Sequence, residues 1–294
     1  MRPAAFEVAI IHHRTPGLLA QALERLATLA PRVSVRVVDT AFDPSLAVQL
    51  EGAHPLLTWL PLSNHSYAAA LNAAARAAQR PLLLQMNADV LLGEHTIDDL
   101  LRAFDDPRVA VAGPLARTAA GDLQDLGLPY RVHYARLHWR QRDGGRGTSV
   151  RVPWLSGCVQ LLRLEALRAV GGFDARLRFY NEDLEWCLRA RRHGWRCELV
   201  ATEVLHVGGA SGRQRLAFVL EGVRGGYAVT RRHGPAFLRP LHRWGLAAGA
   251  WTLAHVDSAP ARRSAWRDLA RRSAHDDLDR SFFGAQLHDA EGLC

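Results

Sequence analysis

The stretch that decides the fold is Pro81-Leu82-Leu83-Leu84-Gln85-Met86-Asn87-Ala88-Asp89. It opens with a proline, continues as an apolar run of strand length and ends in polar residues, which is the pattern of a buried strand followed by a turn. The runs Phe6–His12 and Val33–Asp39 end in the same way. Because an open α/β sheet binds ligands beyond the carboxyl ends of its strands, Asp39 and Asp89 are the first candidates for a site.

Helical segments alternate with these strands. Pro16 begins a predicted helix that runs to about Leu29 with leucines on one face, and the alanine-rich segment Tyr67–Gln79 has a strong helix propensity. This alternation predicts an α/β fold, a mostly parallel sheet with helices on both faces. Further strands are predicted at 56–60, at 109–113, after Gly157 to Leu162 and at 196–201. Further helices are predicted at 96–104, at 164–170 and from 182 onward. Residues 114–153 are predicted to form a long mobile loop.

The composition is that of a globular basic protein. The chain has 294 residues, 48% of them hydrophobic, and a formal charge of +8. It contains no lysine, which excludes a Schiff-base lysine and a phosphate-loop lysine. A dinucleotide oxidoreductase is disfavoured because no G-x-G-x-x-G pattern follows a predicted strand.

The cysteines and the amino-terminal residues indicate the compartment. The four cysteines form no CxxC pair and no metal-ligand spacing, so reduced, buried thiols are expected. The apolar run Phe6–His12 is too short for a secretion leader, and no run of eighteen apolar residues occurs. We therefore expect a cytoplasmic protein, with a peripheral position at the inner face of the plasma membrane as a further hypothesis.

The carboxyl-terminal third has a different character. We predict a catalytic domain at residues 1–211 and a helical, arginine-rich region at 212–294. Its uncharged run Trp244–Ala254 is too short to span a hydrocarbon core of about 30 Å. Either this run lies in the interface of an anionic membrane or it belongs to a helical layer packed on the catalytic domain. No nucleic-acid-binding motif accompanies the basic charge, so no nucleic-acid partner is expected.

Two groups of acids carry the candidate chemistry. Asp89 follows a strand end, where a carboxylate can bind a divalent cation that also bridges two phosphates, although a cap or loop aspartate explains it equally well. Glu182 and Asp183 begin a predicted helix after aromatic residues, and they suit either the helix dipole or a general base. His206 becomes interesting only as a second metal ligand beside Asp89.

The order of these motifs resembles the inverting glycosyltransferases of family 2, which have the GT-A fold, and above all the rhamnosyltransferase-like branch. The resemblance covers about Val8 to Ser211, roughly two-thirds of the chain. It is carried by Val37-Val38-Asp39, Asn64 with Tyr67–Asn72, Met86–Val90, Trp154–Cys158, Val170–Asp174, Glu182–Arg189, Gly194-Trp195 and His206–Ser211.

The resemblance implies roles for individual residues. Asp183 would be the catalytic base, with Glu182 beside it, and Asp89 and His206 would bind Mg²⁺ or Mn²⁺. Both acids would converge on one bound nucleotide-sugar. The implied donor-binding residues are Asp39, Asn64, Asn72, Asn87 and Asp89, and the implied acceptor-side residues are Trp154, Gly157, Glu185 and Arg189.

The resemblance also implies the reaction. A sugar would move from a nucleotide-diphosphate donor, dTDP-rhamnose or a UDP-sugar, to a hydroxyl of a polyprenyl-linked saccharide or cell-envelope glycan. The chain departs from the family at His12–Arg14, Thr40–Ser45 and Asn64–Ser66, all on the nucleotide side.

Two alternatives remain open at this point. One is a catalytically inactive nucleotide-sugar-binding protein of the same fold, which the departures on the nucleotide side allow. The other is a nucleotidyltransferase with a related sheet, for which His12–Gly17 is a poor version of the expected glycine-rich loop.

Overall fold

The computed structural model describes residues 5–124, 128–145, 147–208 and 216–284. Contacts divide the chain into two units. The first combines the residues up to Ser63 with Ala70–Phe173 and the segment that begins at Trp186. The second combines Asn64–Ala69, Asp174–Glu185 and the carboxyl-terminal helices. The predicted boundary at residues 211 and 212 stays a prediction, and each unit is described by itself.

The first unit is built on one sheet of nine strands in the order β3-β2-β1-β4-β8-β6-β9-β5, with β7 paired to β9. The strands are β1 (Phe6–His12), β2 (Val35–Asp39), β3 (Leu57–Pro61), β4 (Leu82–Asn87), β5 (Val90–Leu92), β6 (Val109–Arg117), β7 (Ser149–Val152), β8 (Val159–Arg163) and β9 (Arg196–His206).

The pairing confirms the predicted fold class. Strands β3, β2, β1 and β4 pair in parallel, as do β6 and β9. Strand β8 runs antiparallel between β4 and β6, and β5 and β7 run antiparallel to β9. Strands β1 and β4 are buried on both faces, which is why they read as nearly continuous apolar runs in the sequence.

Helices cover this sheet. In α1 (Pro16–Leu29), the predicted apolar face is buried through Leu19, Leu23 and Leu26, each of which contributes about 1.5–3 kcal/mol when removed from water. The other helices that belong wholly or partly to this unit are α2 (Pro44–Gln49), α3 (Tyr67–Ala77), α4 (Thr96–Arg102), α5 (Leu128–Gly144), α6 (Leu164–Val170) and α7 (Glu182–Arg192).

The predicted mobile loop at 114–153 is wrong. Strand β6 continues to Arg117, α5 occupies much of the segment, and β7 pairs with β9. Helix α5 buries Tyr130 and Leu137 but exposes most of its surface, so its sequence carries no apolar stripe that would predict a helix.

The second unit contains α8 (Leu216–His233), α9 (Leu238–Val256) and α10 (Pro260–Ala274). A buried apolar cluster joins the three helices, including Leu220, Ala250 and Leu269. The buried Glu221 accepts hydrogen bonds from Ser281 Oγ at 2.9 Å and from the Phe282 amide at 3.0 Å, which fastens the chain beyond α10 to α8. These helices confirm the helical character predicted for this region.

In the described part of the chain, the helices are all too short or too polar to cross a bilayer. Cys158, Cys187 and Cys197 are buried thiols, as predicted, whereas Cys294 lies outside the described residues.

Candidate functional site

The carboxyl ends of β1, β2 and β4 meet at one edge of the sheet. In the parallel register His12 stands beside Asp39, and Ile11 stands beside Asn87. Asp89 follows two residues later, in the turn between β4 and β5. The sheet therefore brings the two predicted strand-end aspartates to the same edge, as the alternation of strands and helices led us to expect.

His12 orients Asp39, and sequence analysis gave this histidine no role. The Thr15 amide donates to His12 Nε2 at 3.1 Å, so the neutral ring carries its proton on Nδ1, which donates to Asp39 Oδ1 at 3.2 Å. Burial outweighs the attraction of Asp39 and lowers the pKa of His12. Asp39 also accepts from the amides of Ala41 and Asp43, both at 2.9 Å. Its contact with a nucleotide base stays a prediction.

Asp89 and His206 lie side by side. The antiparallel pairing of β5 and β9 places Val90 opposite His206, and the Val207 amide donates to the Asp89 carbonyl at 3.0 Å. His206 Nε2 lies 3.4 Å from Asp89 Oδ1, and both side chains are largely buried. Strand β9 runs five residues beyond its predicted end, which is how His206 reaches this position.

The hydrogen-bonding surroundings of this pair favour a proton on His206. Burial disfavours charge on His206, but hydrogen bonds with Asp89 and Cys158 outweigh it and raise the pKa of His206 to about 9. Nδ1 lies 3.2 Å from Gln124 Oε1, so in the charged ring each nitrogen faces an oxygen acceptor. A divalent cation bound between Asp89 and Nε2 would replace that proton and leave Nδ1–H on Gln124, which is the usual support of a metal-binding histidine.

Asp89 and His206 could supply two ligands of a coordination shell. No group of three or more histidine, cysteine, aspartate or glutamate side chains is placed to hold a metal among the described residues. Two protein ligands with substrate phosphates and water completing the shell are typical of Mg²⁺ sites with nucleotide ligands. The residues present therefore fit a cation that is bound together with a diphosphate.

Asn72 and Arg189 hold the backbone before Asp174. The Asn72 amide donates to the Phe173 carbonyl and accepts from the Phe173 amide, both at 2.8 Å. Arg189 donates to the carbonyls of Val170 at 2.9 Å and Gly172 at 2.6 Å. Both side chains therefore stabilise the backbone of residues 170–173. Contacts of Asn72 with the donor and of Arg189 with the acceptor stay predictions.

Buried glutamines position the loop that contains Trp154 and Gly157, and sequence reasoning missed them. Gln85 Nε2 donates to the Gly157 carbonyl and Gln160 Nε2 donates to the Leu155 carbonyl, both at 2.9 Å. Both glutamines are fully buried, and each interrupts a strand whose neighbouring residues are apolar. A polar residue inside an otherwise apolar strand is the signal that could have identified them.

The second unit holds Glu182 and Asp183 at the start of α7. Glu182 is 4% exposed, and its Oε2 atom has no hydrogen-bond partner. Burial, together with the charge of Asp183, raises the pKa of Glu182 well above its ordinary value. Asp183 is only partly buried, and its Oδ1 accepts from the Leu184 amide at 2.7 Å. The two neighbouring acids therefore have different environments.

A left-handed turn leads into this acid pair. Tyr180 and Asn181 have φ values of 64° and 67°, a backbone conformation that residues other than glycine rarely adopt unless the surrounding structure holds them in it. Asn181 Nδ2 donates to the Gly222 carbonyl at 2.9 Å. A Cβ on Gly222 would lie 3.0 Å from Tyr180 Cδ2, so the missing side chain of α8 makes room for the turn.

Glu185 and Asp174 are fixed by basic residues of α8. Glu185 is almost fully buried and accepts from Arg232 at 2.7 Å and His233 at 3.1 Å. Burial opposes ionisation of Asp174, but hydrogen bonds from Arg176 and Arg232 outweigh it and lower its pKa. Asp174, Arg176, Glu185 and Arg232 line a cavity of about 450 Å³ in the second unit. The acceptor role of Glu185 stays a prediction.

The remaining predicted donor-side residues have clear positions. Asn87 is the last residue of β4. Asn64 is buried in the second unit, next to His65, whose carbonyl accepts from Arg178 Nε at 2.8 Å. Their contacts with a donor stay predictions, and residues 209–211 of the last motif lie outside the described residues.

Solved structures identify the class of protein that has this fold. GalNAc-T7, crystallised with UDP, GalNAc and Mn²⁺, matches over 92% of this chain with a TM-score of 0.64 and 12% sequence identity, and this chain spans 56% of that protein. The mannosyltransferase PcManGT from Pyrobaculum calidifontis, in complex with GDP-Man and Mn²⁺, matches over 93% of this chain and 87% of its own, with a TM-score of 0.60 and 19% identity. The fold is that of the GT-A glycosyltransferases.

Sequence comparison gives the family. The pattern of the family described as "Glycosyltransferase like family 2" matches residues 19–228, so the chain belongs to glycosyltransferase family 2 and is a glycosyltransferase. It is 30% identical over 279 residues to the N-acetylglucosaminyl-diphospho-decaprenol L-rhamnosyltransferase of Mycobacterium tuberculosis. That alignment covers 83% of this chain and 89% of the relative.

Proposed function

We propose that this glycosyltransferase inverts the anomeric centre of a hexosyl group as it moves that group to a saccharide hydroxyl on a polyprenyl diphosphate. The donor would be dTDP-rhamnose or a UDP-sugar. The observation that carries the proposal is the similarity to the mycobacterial L-rhamnosyltransferase, which extends over 83% of this chain. That relative is named for a lipid-linked N-acetylglucosamine acceptor.

The donor side of the proposal rests on the first unit. Asp89 and His206, at 3.4 Å from each other, would hold Mg²⁺ or Mn²⁺, which neutralises negative charge on a departing nucleotide diphosphate. Mn²⁺ in both structural neighbours supports the presence of a divalent cation in this chain. Asp39, at the same sheet edge, would accept a hydrogen bond from the base of the donor.

The proton transfer rests on the second unit. Glu182 resists ionisation because it is buried, so the negative charge of the acid pair would reside on the more exposed Asp183. Asp183 would take the proton of the acceptor hydroxyl while the hydroxyl oxygen attacks the anomeric carbon opposite the leaving diphosphate. One carbon–oxygen bond forms and one breaks, with inversion.

A lipid-linked acceptor would place the reaction at a membrane surface. We propose the inner face of the plasma membrane as that place, with the acceptor saccharide or growing cell-envelope glycan reached from the cytoplasm.

Transfer from radiolabelled donors tests the proposal. Purified full-length protein is incubated with N-acetylglucosaminyl polyprenyl diphosphate, with dTDP-rhamnose or single UDP-sugars, and with Mn²⁺ or Mg²⁺. We expect labelled lipid from one donor, and Asp183→Asn should abolish transfer while nucleotide still raises the melting temperature by mass action. Near-normal turnover in Asp183→Asn contradicts the base assignment. Stabilisation by a donor without transfer to any acceptor contradicts the proposed reaction and supports the inactive binding protein.

A further inference from the structure

Helix α9 has two unlike faces. Ala247, Ala250 and Ala254 are buried, and these small side chains let α9 pack closely within the second unit. Helices α8 and α10 supply the packing partners on that side. The opposite side of α9 remains exposed along the whole helix.

Large apolar side chains line that exposed side. Phe237 is 67% exposed, Leu241 64%, Trp244 55% and Trp251 61%. Together with exposed Ala248, they recur at intervals of four, three, four and three residues, so they share one narrow face of the helix. We call these five residues the α9 apolar face. Contiguous exposed apolar surface of this kind marks a site of interaction.

The charges beside this face have one sign. The sequence from Leu238 to Val256 contains no acidic residue. Arg239 is exposed, and the guanidinium of Arg243 lies 5.0 Å from the centre of the Trp244 ring. A face of aromatic and aliphatic side chains bordered by cations is typical of a helix that lies in a membrane interface. Its indoles enter the boundary of the acyl chains while its arginines meet lipid phosphates.

We propose that the α9 apolar face docks this protein on an anionic lipid bilayer, with the helix axis in the plane of the membrane. A helix of this length extends about 28 Å, and α9 is not apolar enough to cross the bilayer along that length. A second copy of the chain fits less well, because the same helix would bring no acidic residue to meet Arg239 and Arg243.

This inference does not rest on the proposed function. Lipid binding is measured without any donor or acceptor, so a protein with another sugar specificity, or with none, would still dock. Failure to dock would leave the transfer reaction untouched, since none of the α9 residues named here is assigned to the chemistry.

The experiment is co-sedimentation of the full-length protein with vesicles of phosphatidylcholine alone or mixed with phosphatidylglycerol. We expect binding to the mixed vesicles at low salt, partial release at high salt, and a drop of at least about tenfold in partitioning for Trp244→Ala/Trp251→Ala. The matched control is Trp139→Ala on α5, which removes an equally exposed indole (67%) from the first unit and should bind like the wild type. Melting temperatures of the wild type and the variants establish whether each variant is folded before its binding is compared.

Three outcomes would overturn the proposal. The first is wild-type protein that stays in the supernatant with mixed vesicles at low salt. The second is a Trp139→Ala variant that loses as much binding as the double variant, which would move docking to α5. The third is a dimer in light scattering that the double variant dissociates, which would make a second copy the occupant of the face.

Discussion

Replacement of Gly225 by alanine tests whether α8 positions the proposed base. Gly225 and Gly226 are neighbours within α8 and have the same intrinsic helix propensity. A Cβ on Gly225 would lie 2.9 Å from Asn181 Nδ2 and 3.3 Å from the Tyr180 carbonyl oxygen. A Cβ on Gly226 would meet only Asn181 Oδ1, at an ordinary 3.9 Å. Gly226→Ala is therefore a matched control.

The expected stabilities follow from three contributions. Glycine to alanine inside a helix stabilises the folded state by about 1 kcal/mol in both variants. In Gly225→Ala, the close contact costs about 1–3 kcal/mol as overpacking. The displaced Asn181 amide also gives up its hydrogen bond to Gly222, which costs about 1 kcal/mol more. Gly225→Ala should therefore be about 1–3 kcal/mol less stable than wild type, and Gly226→Ala about 1 kcal/mol more stable.

The same displacement should affect turnover. Asn181 and Tyr180 form the left-handed turn that directly precedes Glu182 and Asp183, so movement of the turn changes the position of the proposed base. Misplacement of a reacting group by about 1 Å costs up to about a hundredfold in rate. We expect kcat of Gly225→Ala to fall between about tenfold and a hundredfold, with KM for the donor close to wild type.

Urea denaturation and steady-state transfer assays measure both effects. Gly225→Ala should have both a lower free energy of unfolding and a lower kcat than Gly226→Ala. Equal stability and equal kcat for Gly225→Ala and Gly226→Ala would refute it, because the two substitutions differ mainly in what the new methyl group touches.

Three further predictions concern buried polar groups. Because the pKa of Glu182 is raised in the folded chain, the folded state binds the proton more tightly than the unfolded state does. The stability of the wild type should therefore fall as pH rises from about 4.5 through the folded pKa. In urea melts at stepped pH, Glu182→Gln should remove that slope, and parallel stability profiles for the two proteins would contradict this. Asp89→Asn should abolish the Mn²⁺-dependent part of the melting-temperature rise caused by UDP or dTDP, and His206→Gln should reduce it. A chelator should abolish the same part of the rise in the wild type. An unchanged Mn²⁺ response in Asp89→Asn would remove Asp89 from the proposed metal site. Asn72→Ala should cost about 2–4 kcal/mol in the same melts because both backbone groups of Phe173 lose their partner. Asn72→Asp should recover little of this stability, because it keeps the acceptor for the Phe173 amide but sets a carboxylate oxygen against the Phe173 carbonyl.

Much of the first unit was predictable because central strands such as β1 and β4 are buried on both faces. Phe6–His12 and Pro16–Leu29 have the predicted bounds, and β4 is displaced by a single residue. Helix α5 was missed because its stability comes from a few buried side chains, such as Tyr130 and Leu137, rather than from an apolar stripe. Strand β5 is too short to leave a periodic signal.

One missed element did leave a local signal. Helix α2 begins at Pro44, and the Asp43 side chain accepts from the amides of Ser45 and Leu46. An aspartate followed by proline is a recognised helix start. The segment is too short for apolar periodicity to support that start, so the sequence predicts no helix there.

The neighbouring positions of Asp89 and His206 were predictable, whereas other contacts of the candidate site were not. The resemblance to family 2 placed Asp89 beside His206, and the structure gives them a contact of 3.4 Å. Partners such as Gln85 for the Trp154 loop depend on which strands are adjacent, and β4 and β8 lie more than seventy residues apart along the chain. Local pattern cannot report such pairing.

His12 shows how a departure from the family motif can preserve the chemistry of a site. Its Nε2 atom is occupied by the Thr15 amide and its pKa is lowered, so the ring faces Asp39 as a neutral donor rather than as a cation. A neutral donor orients the Asp39 carboxylate without cancelling its charge. Asp39 thereby keeps the acceptor strength that a hydrogen bond from a nucleotide base requires. The change at His12 is therefore consistent with the donor-binding role that we propose for Asp39.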